Sequence, residues 1–179
     1  MRSKPIRVLM IIAAVLLLFC IYGNLCRITM GLEQGLGLIC TICLILTCLF
    51  GVFYVASGYS KPGAAYFTVF MALYGLSDLL SAAQLFLEQN SLPVALLQSL
   101  LFVCLLVLAV AKDPGQSKSV TVAAAGLLCA LIAIVVAFFG AAVSSPLELI
   151  RPGTLLVLAF SSFLMVFAKY DDKKARGSK

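Results

Sequence analysis

Histidine and tryptophan are both missing from this 179-residue chain, and aspartate and glutamate together number only 7. Without an imidazole there can be no histidine-ligated metal centre, no Ser/His dyad and no histidine-dependent phosphatase, since each needs that ring as ligand or as base near neutral pH. Six of the acids (Glu33, Glu88, Asp113, Glu148, Asp171 and Asp172) fall between or beyond the long apolar runs, and none are paired within one helix as a metal site would require. Phosphate loops of the GxGxxG or GxxxxGKS/T kind are absent as well. These gaps point away from an enzyme, and the reading carries no metal, no cofactor and no nucleic-acid partner.

What the chain does have is apolar length. Hydrophobic residues make up 63% and charged ones 11%, with a mean hydropathy of +1.15. That is about 113 apolar residues, enough for five or six crossings at roughly 20 residues each. Charges and Pro/Gly breaks divide them into six predicted spans: 8–26, 36–56, 64–87, 92–111, 120–143 and 154–169. The head MRSKPIR and the run after it have the outline of a signal peptide, but no small-x-small pair precedes a polar start and bulky Phe19 stands where a lipoprotein site wants a small residue. The first run is therefore expected to stay as helix. The breaks GYSKPG, EQNS, KDPGQSKS and SSPLELIRPG are short, so consecutive helices should be antiparallel neighbours. No internal repeat is visible that would suggest an inverted-repeat transporter. The expected fold is an all-α polytopic bundle of six transmembrane helices, one membrane domain over residues 1–179 with a basic tail at 170–179.

Orientation follows from the basic residues, whose bias sets topology when loops are short. With the N-terminus inside, Arg2, Lys4, Arg7, Lys61, Lys112, Lys118, Lys169, Lys173, Lys174, Arg176 and Lys179 all fall on the cytoplasmic side, and only Arg27 and Arg151 fall outside. A different helix count would scramble that split, so it supports six spans and cytoplasmic termini in a cell membrane together. The net charge of +6 is then the cytoplasmic face of a membrane protein. Its tail is suited to anionic headgroups.

One acid, Asp78, stands well inside a span. A carboxylate there costs about 2.5–3.5 kcal/mol on insertion scales, so it should face protein or water and is a functional candidate by default. At 100° per residue Tyr74, Ser77, Asp78, Ser81, Gln84 and Glu88 fall within about 120° of arc, a polar stripe, while Leu73, Leu76, Leu80, Ala83 and Leu87 face the other way. Gln98 and Ser99 of the fourth span, Ser161 and Ser162 of the sixth and Thr41 of the second are expected at similar depth, with Arg27 and Arg151 at the outer mouth as the cations available to pair with Asp78 or attract an anion. The candidate ligand, ion or proton site is thus Asp78, Tyr74, Ser77, Ser81, Gln84, Gln98, Ser161, Ser162 and Arg151. The plainer reading is an Asp78 that ties helices together through neighbouring hydroxyls.

Cys40 and Cys43 form a CxxC, the spacing a thiol relay would use, but no second pair accompanies them. The seven cysteines read as small packing residues, reduced and dispensable. Gly31 and Gly35 form a GxxxG before the second span. Gly37, Cys40, Thr41, Cys48 and Gly51 add a small-residue stripe, and Ala123 to Gly126 and Gly140 to Ala142 do the same on the fifth span. Such faces serve either a neighbouring helix or a homo-oligomer or membrane partner protein.

In length, span number, cytoplasmic termini and an outward polar pocket the chain resembles the S components of energy-coupling-factor transporters. That resemblance implies capture of a small solute, although in place of the family's small-residue docking motif the first helix offers only adjacent Ala13 and Ala14. Two functions therefore fit a multi-pass membrane protein of this kind: binding or transport of a small molecule or ion around Asp78, or a non-catalytic structural or partner role in which the stripe only joins helices.

Overall fold

A computed structural model describes the backbone of residues 4–57, 61–89, 92–140 and 146–177. The described residues form an all-α structure of six helices, α1 (Lys4–Thr29), α2 (Gly35–Ser57), α3 (Lys61–Gln89), α4 (Leu92–Val110), α5 (Ser117–Gly140) and α6 (Ile150–Gly177), with a short 3₁₀ turn at Pro146–Leu149 leading into α6. Each of the six is long and apolar enough to cross a membrane.

Neighbours in sequence are neighbours in space, and α6 closes the ring by packing against α1 while also touching α2 and α3 across the middle. The helices alternate in direction: Ser81 meets Gln98, whereas Gly75, earlier on α3, faces Phe102 and Leu105, later on α4. The start of α1 and the end of α6 consequently lie at one end of the bundle, here the terminal end, and the other end is the distal end.

Lipid tails are as apolar as leucine, so what joins the helices is close contact and polar bonding rather than exclusion of water. On α1 the buried positions Ile6, Met10, Ala13 and Leu17 follow a three-to-four spacing, while Ile11, Phe19 and Tyr22 face outward. The stripe expected on α2 is buried in full, at Gly37, Cys40, Thr41, Cys48 and Gly51. A Cβ on Gly51 would lie 2.8 Å from Leu17 Cδ1 and 3.0 Å from Phe70 Cε2, so α1 and α3 both press against it. That stripe is used inside the bundle. On α5, Ala123, Ala130 and Ala133 are buried and Gly126 faces Leu101 and Cys104 of α4. Of the second small-residue stretch expected there, Gly140 ends the helix, and Ala141 and Ala142 lie outside the described residues.

Three boundaries differ from expectation. Gly31 and Gly35 do not pack a helix: they have positive φ of 67° and 54°, with open space where a side chain would stand, and they bend the α1–α2 connection. Arg151, Pro152 and Gly153 are the first turn of α6 rather than loop, because proline is tolerated where its missing N–H would be unpaired anyway. The basic tail is not a separate segment, since α6 continues through Gly177. Charge marks where a span leaves the bilayer; it does not stop a helix.

At the terminal end α6 is pinned to its neighbours. Lys169 Nζ lies 3.7 Å from the Phe67 ring centre and 5.6 Å from that of Tyr54, a cation held over two rings. Lys173 pairs with Asp113 of the α4–α5 loop, whose other oxygen accepts the Gly115 N–H at 3.1 Å.

Candidate functional site

The polar stripe of α3 points inward. Tyr74, Ser77, Asp78 and Ser81 are buried and Gln84 is half-buried, while Leu76, Ala83 and Leu87 are exposed; the side chain of Glu88 lies outside the described residues. Three helices reach this stripe with hydrogen bonds. The Cys40 thiol of α2 donates to the Ser77 carbonyl at 3.4 Å, the Tyr74 hydroxyl donates to the Leu155 carbonyl of α6 at 3.2 Å, and Gln98 Nε2 of α4 donates to Ser81 Oγ at 3.4 Å. Asp78 lies among these bonds, 1% exposed, and its Oδ2 has no hydrogen-bond partner among the described residues. Gln98 Oε1 and Thr41 Oγ1 are likewise buried and unpartnered.

Not every candidate joins this group. Ser77 and Ser162 spend their hydroxyls on their own helices, donating to Leu73 and Ala159 carbonyls at 2.8 Å each. Ser99 does the same toward Ala95 and is exposed, facing away from the interior. Ser161 is buried with its Oγ unpartnered, but it sits at another level. It is six residues nearer the terminal end than Leu155, and Asp78 is four residues nearer the distal end than Tyr74. The two are therefore separated by roughly 15 Å along the bundle.

Arg151 is at the right level: it stands four residues beyond Leu155 as Asp78 does beyond Tyr74, each about one turn past the bond that joins α6 to α3. No ion pair links them among the described residues. The guanidinium lies instead against the Cys40 thiol, and its Nε and Nη2 are buried without an acceptor.

Four buried polar residues did not figure among the sequence candidates. Asn24 of α1 donates through Nδ2 to the Cys20 carbonyl and to Thr154 Oγ1 of α6, both at 2.8 Å. Thr47 bonds back to the Cys43 carbonyl at 2.7 Å. Glu33, in the α1–α2 connection, accepts Arg27 Nε at 2.9 Å and Nη2 at 2.5 Å on one oxygen, while Arg27 Nη1 donates to the Leu147 carbonyl at 2.6 Å. Its second oxygen would be 2.6 Å from a Cβ on Gly37, and Gln84 Nε2 reaches the same point at 3.4 Å. Glu33 thus lies beside Gly37 and Gln84 at the distal end of the α3 stripe, fixed by an arginine from α1. A signal for Asn24 was present: it is the one asparagine in any predicted span.

All seven cysteines are free, and the described residues hold no group of three His, Cys, Asp or Glu side chains that could grip a metal. What the arrangement offers is a buried carboxylate oxygen, with buried amide and hydroxyl oxygens on Gln98 and Thr41 of the helices that pack against α3.

By fold and composition this is a multi-pass membrane protein. No family model matches the chain, and comparison with known proteins and with solved structures finds no match either.

Proposed function

We propose that the protein binds a small cation or a proton at Asp78, in a carrier role and without catalysing a reaction. One observation carries this reading: a carboxylate is buried in the middle of a membrane bundle with an unpartnered oxygen. An ionised carboxylate at that depth is stable only if something neutralises or solvates it, and no basic side chain among the described residues does so. A proton or a compact cation meets the need, and the acceptor oxygen of Gln98 adds to such a site. The bias of the basic residues supports an orientation with both chain ends in the cytoplasm, in which the site lies in the outer half of a cell membrane, on the inner side of the Arg27–Glu33 pair.

Asp78→Asn tests the reading. It keeps size and much of the hydrogen bonding but removes the titratable group, so the variant should fold and insert like the wild type while losing cation- or proton-dependent flux in proteoliposomes carrying an internal pH dye. A second reading, in which the stripe only joins helices, is favoured by the three cross-helix bonds on the residues flanking Asp78. On that reading Asp78→Asn is silent and Asp78→Leu destabilises the bundle. A silent Asn variant beside an unstable Leu variant would defeat the carrier proposal.

A further inference from the structure

The distal end holds two arginines in opposite conditions. Arg27 is complete: Nε and Nη2 both reach Glu33 Oε1, and Nη1 reaches the Leu147 carbonyl. Arg151 presents the same edge, Nε with Nη2, buried and with no acceptor among the described residues. On a guanidinium these two N–H bonds run side by side, the fork that fits two oxygens of a carboxylate or phosphate at once. The one side chain placed against it is the Cys40 thiol, a weak acceptor already donating its proton to the Ser77 carbonyl. Glu33 is paired with Arg27 through Oε1, and no ion pair joins it to Arg151 among the described residues.

Arg151 is kept in place by more than its own contacts. It occupies the first turn of α6, and that turn is fixed by the Asn24–Thr154 bond on one side and the Tyr74–Leu155 bond on the other. A guanidinium on a fixed turn, with its fork buried and no partner for it among the described residues while a similar arginine nearby is bonded at all three nitrogens, is preorganised for an acceptor that no described residue supplies. We infer that Arg151 forms a binding site for an oxyanion, a carboxylate or phosphate group taken two-point by Nε and Nη2. Either a soluble anion or a lipid phosphate headgroup has this chemistry. The inference stands apart from the Asp78 reading and uses no atom of that carboxylate.

The purified full-length protein is titrated with inorganic phosphate, with acetate and with dioctanoyl phosphatidylglycerol, and binding is read from the shift in thermal unfolding, which grows with ligand concentration over Kd. Stabilisation by phosphate or acetate identifies a soluble anion; stabilisation by the phosphatidylglycerol alone identifies a headgroup. Arg151→Lys keeps the charge but has no fork, so it should raise Kd at least about tenfold, and Arg151→Gln should abolish binding. Asp78→Asn should still bind, so that failure here and failure of the carrier proposal are told apart. No shift with any of the three probes, or equal affinity in Arg151→Lys, overturns the inference. Should the Arg151 variants not fold, the wild type answers through phenylglyoxal labelling read by mass spectrometry. Protection of Arg151 by whichever probe binds supports the site, and equal labelling with and without it refutes it.

Discussion

Asn24 and Thr154 are 130 positions apart and share a buried hydrogen bond of 2.8 Å. Removing the amide with Asn24→Ala leaves Thr154 Oγ1 with its bond to the Ile150 carbonyl but without a donor from α1, and opens space in the α1–α6 contact; it should lower stability by about 1–2 kcal/mol, read as a lower melting temperature in detergent. Ser99→Ala is the contrast: its hydroxyl bonds within its own helix on an exposed face, and the loss should stay within about 0.5 kcal/mol. The same pair shows what a sequence can and cannot disclose about single residues. Tyr74, Asp78 and Ser81 belong to one helix, so helical spacing alone places them on one side. Whether Ser161 reaches Asp78 depends on how α6 is shifted along α3, and that shift is set by the Tyr74–Leu155 bond, which no local pattern encodes. Ser99 shares the depth of Gln98, yet adjacent helical positions point about 100° apart, and Ser99 faces outward.

Span number and position were legible because about 20 apolar residues between charges admit few alternatives, whereas helix ends were not, because proline, glycine and lysine each have more than one use. Two glycines of α2 and its approach separate those uses. Gly51→Val should cost about 1–3 kcal/mol through collision with Leu17 and Phe70. Gly31→Ala meets no atom within 4 Å, and its cost of about 1 kcal/mol is that of holding a positive φ. Thermal unfolding of the two variants checks the order. The end of α6 responds to pH instead. Hydrogen bonding from Lys173 is the main reason that Asp113 titrates below the usual carboxylate range, with the Gly115 N–H adding to it. A depressed value means that the attachment is complete above the ordinary aspartate pKa of about 4 and weakens as pH falls through the lowered one. Amide exchange in residues 170–177 should therefore speed up, relative to the intrinsic rate, on acidification below about pH 4, and also at high salt, since both partners are partly exposed.

For the molecule as a whole, the proposed orientation makes Cys26 accessible to an impermeant thiol reagent on intact cells, while a reporter fused after Lys179 should read cytoplasmic; an external reporter would refute the six-crossing topology. The closed order of helices also bears on how the protein is made. The helix that receives the Asn24 amide, α6, is synthesised after five others, so throughout translation α1 waits in the bilayer with a polar group turned toward lipid. Completion of the chain is what shields it. A chain ended before residue 146 should insert yet be cleared faster than the intact protein in pulse–chase labelling, and replacing Asn24 with leucine in that same truncated chain should restore its lifetime, because the exposed amide is then no longer there for membrane quality control to detect.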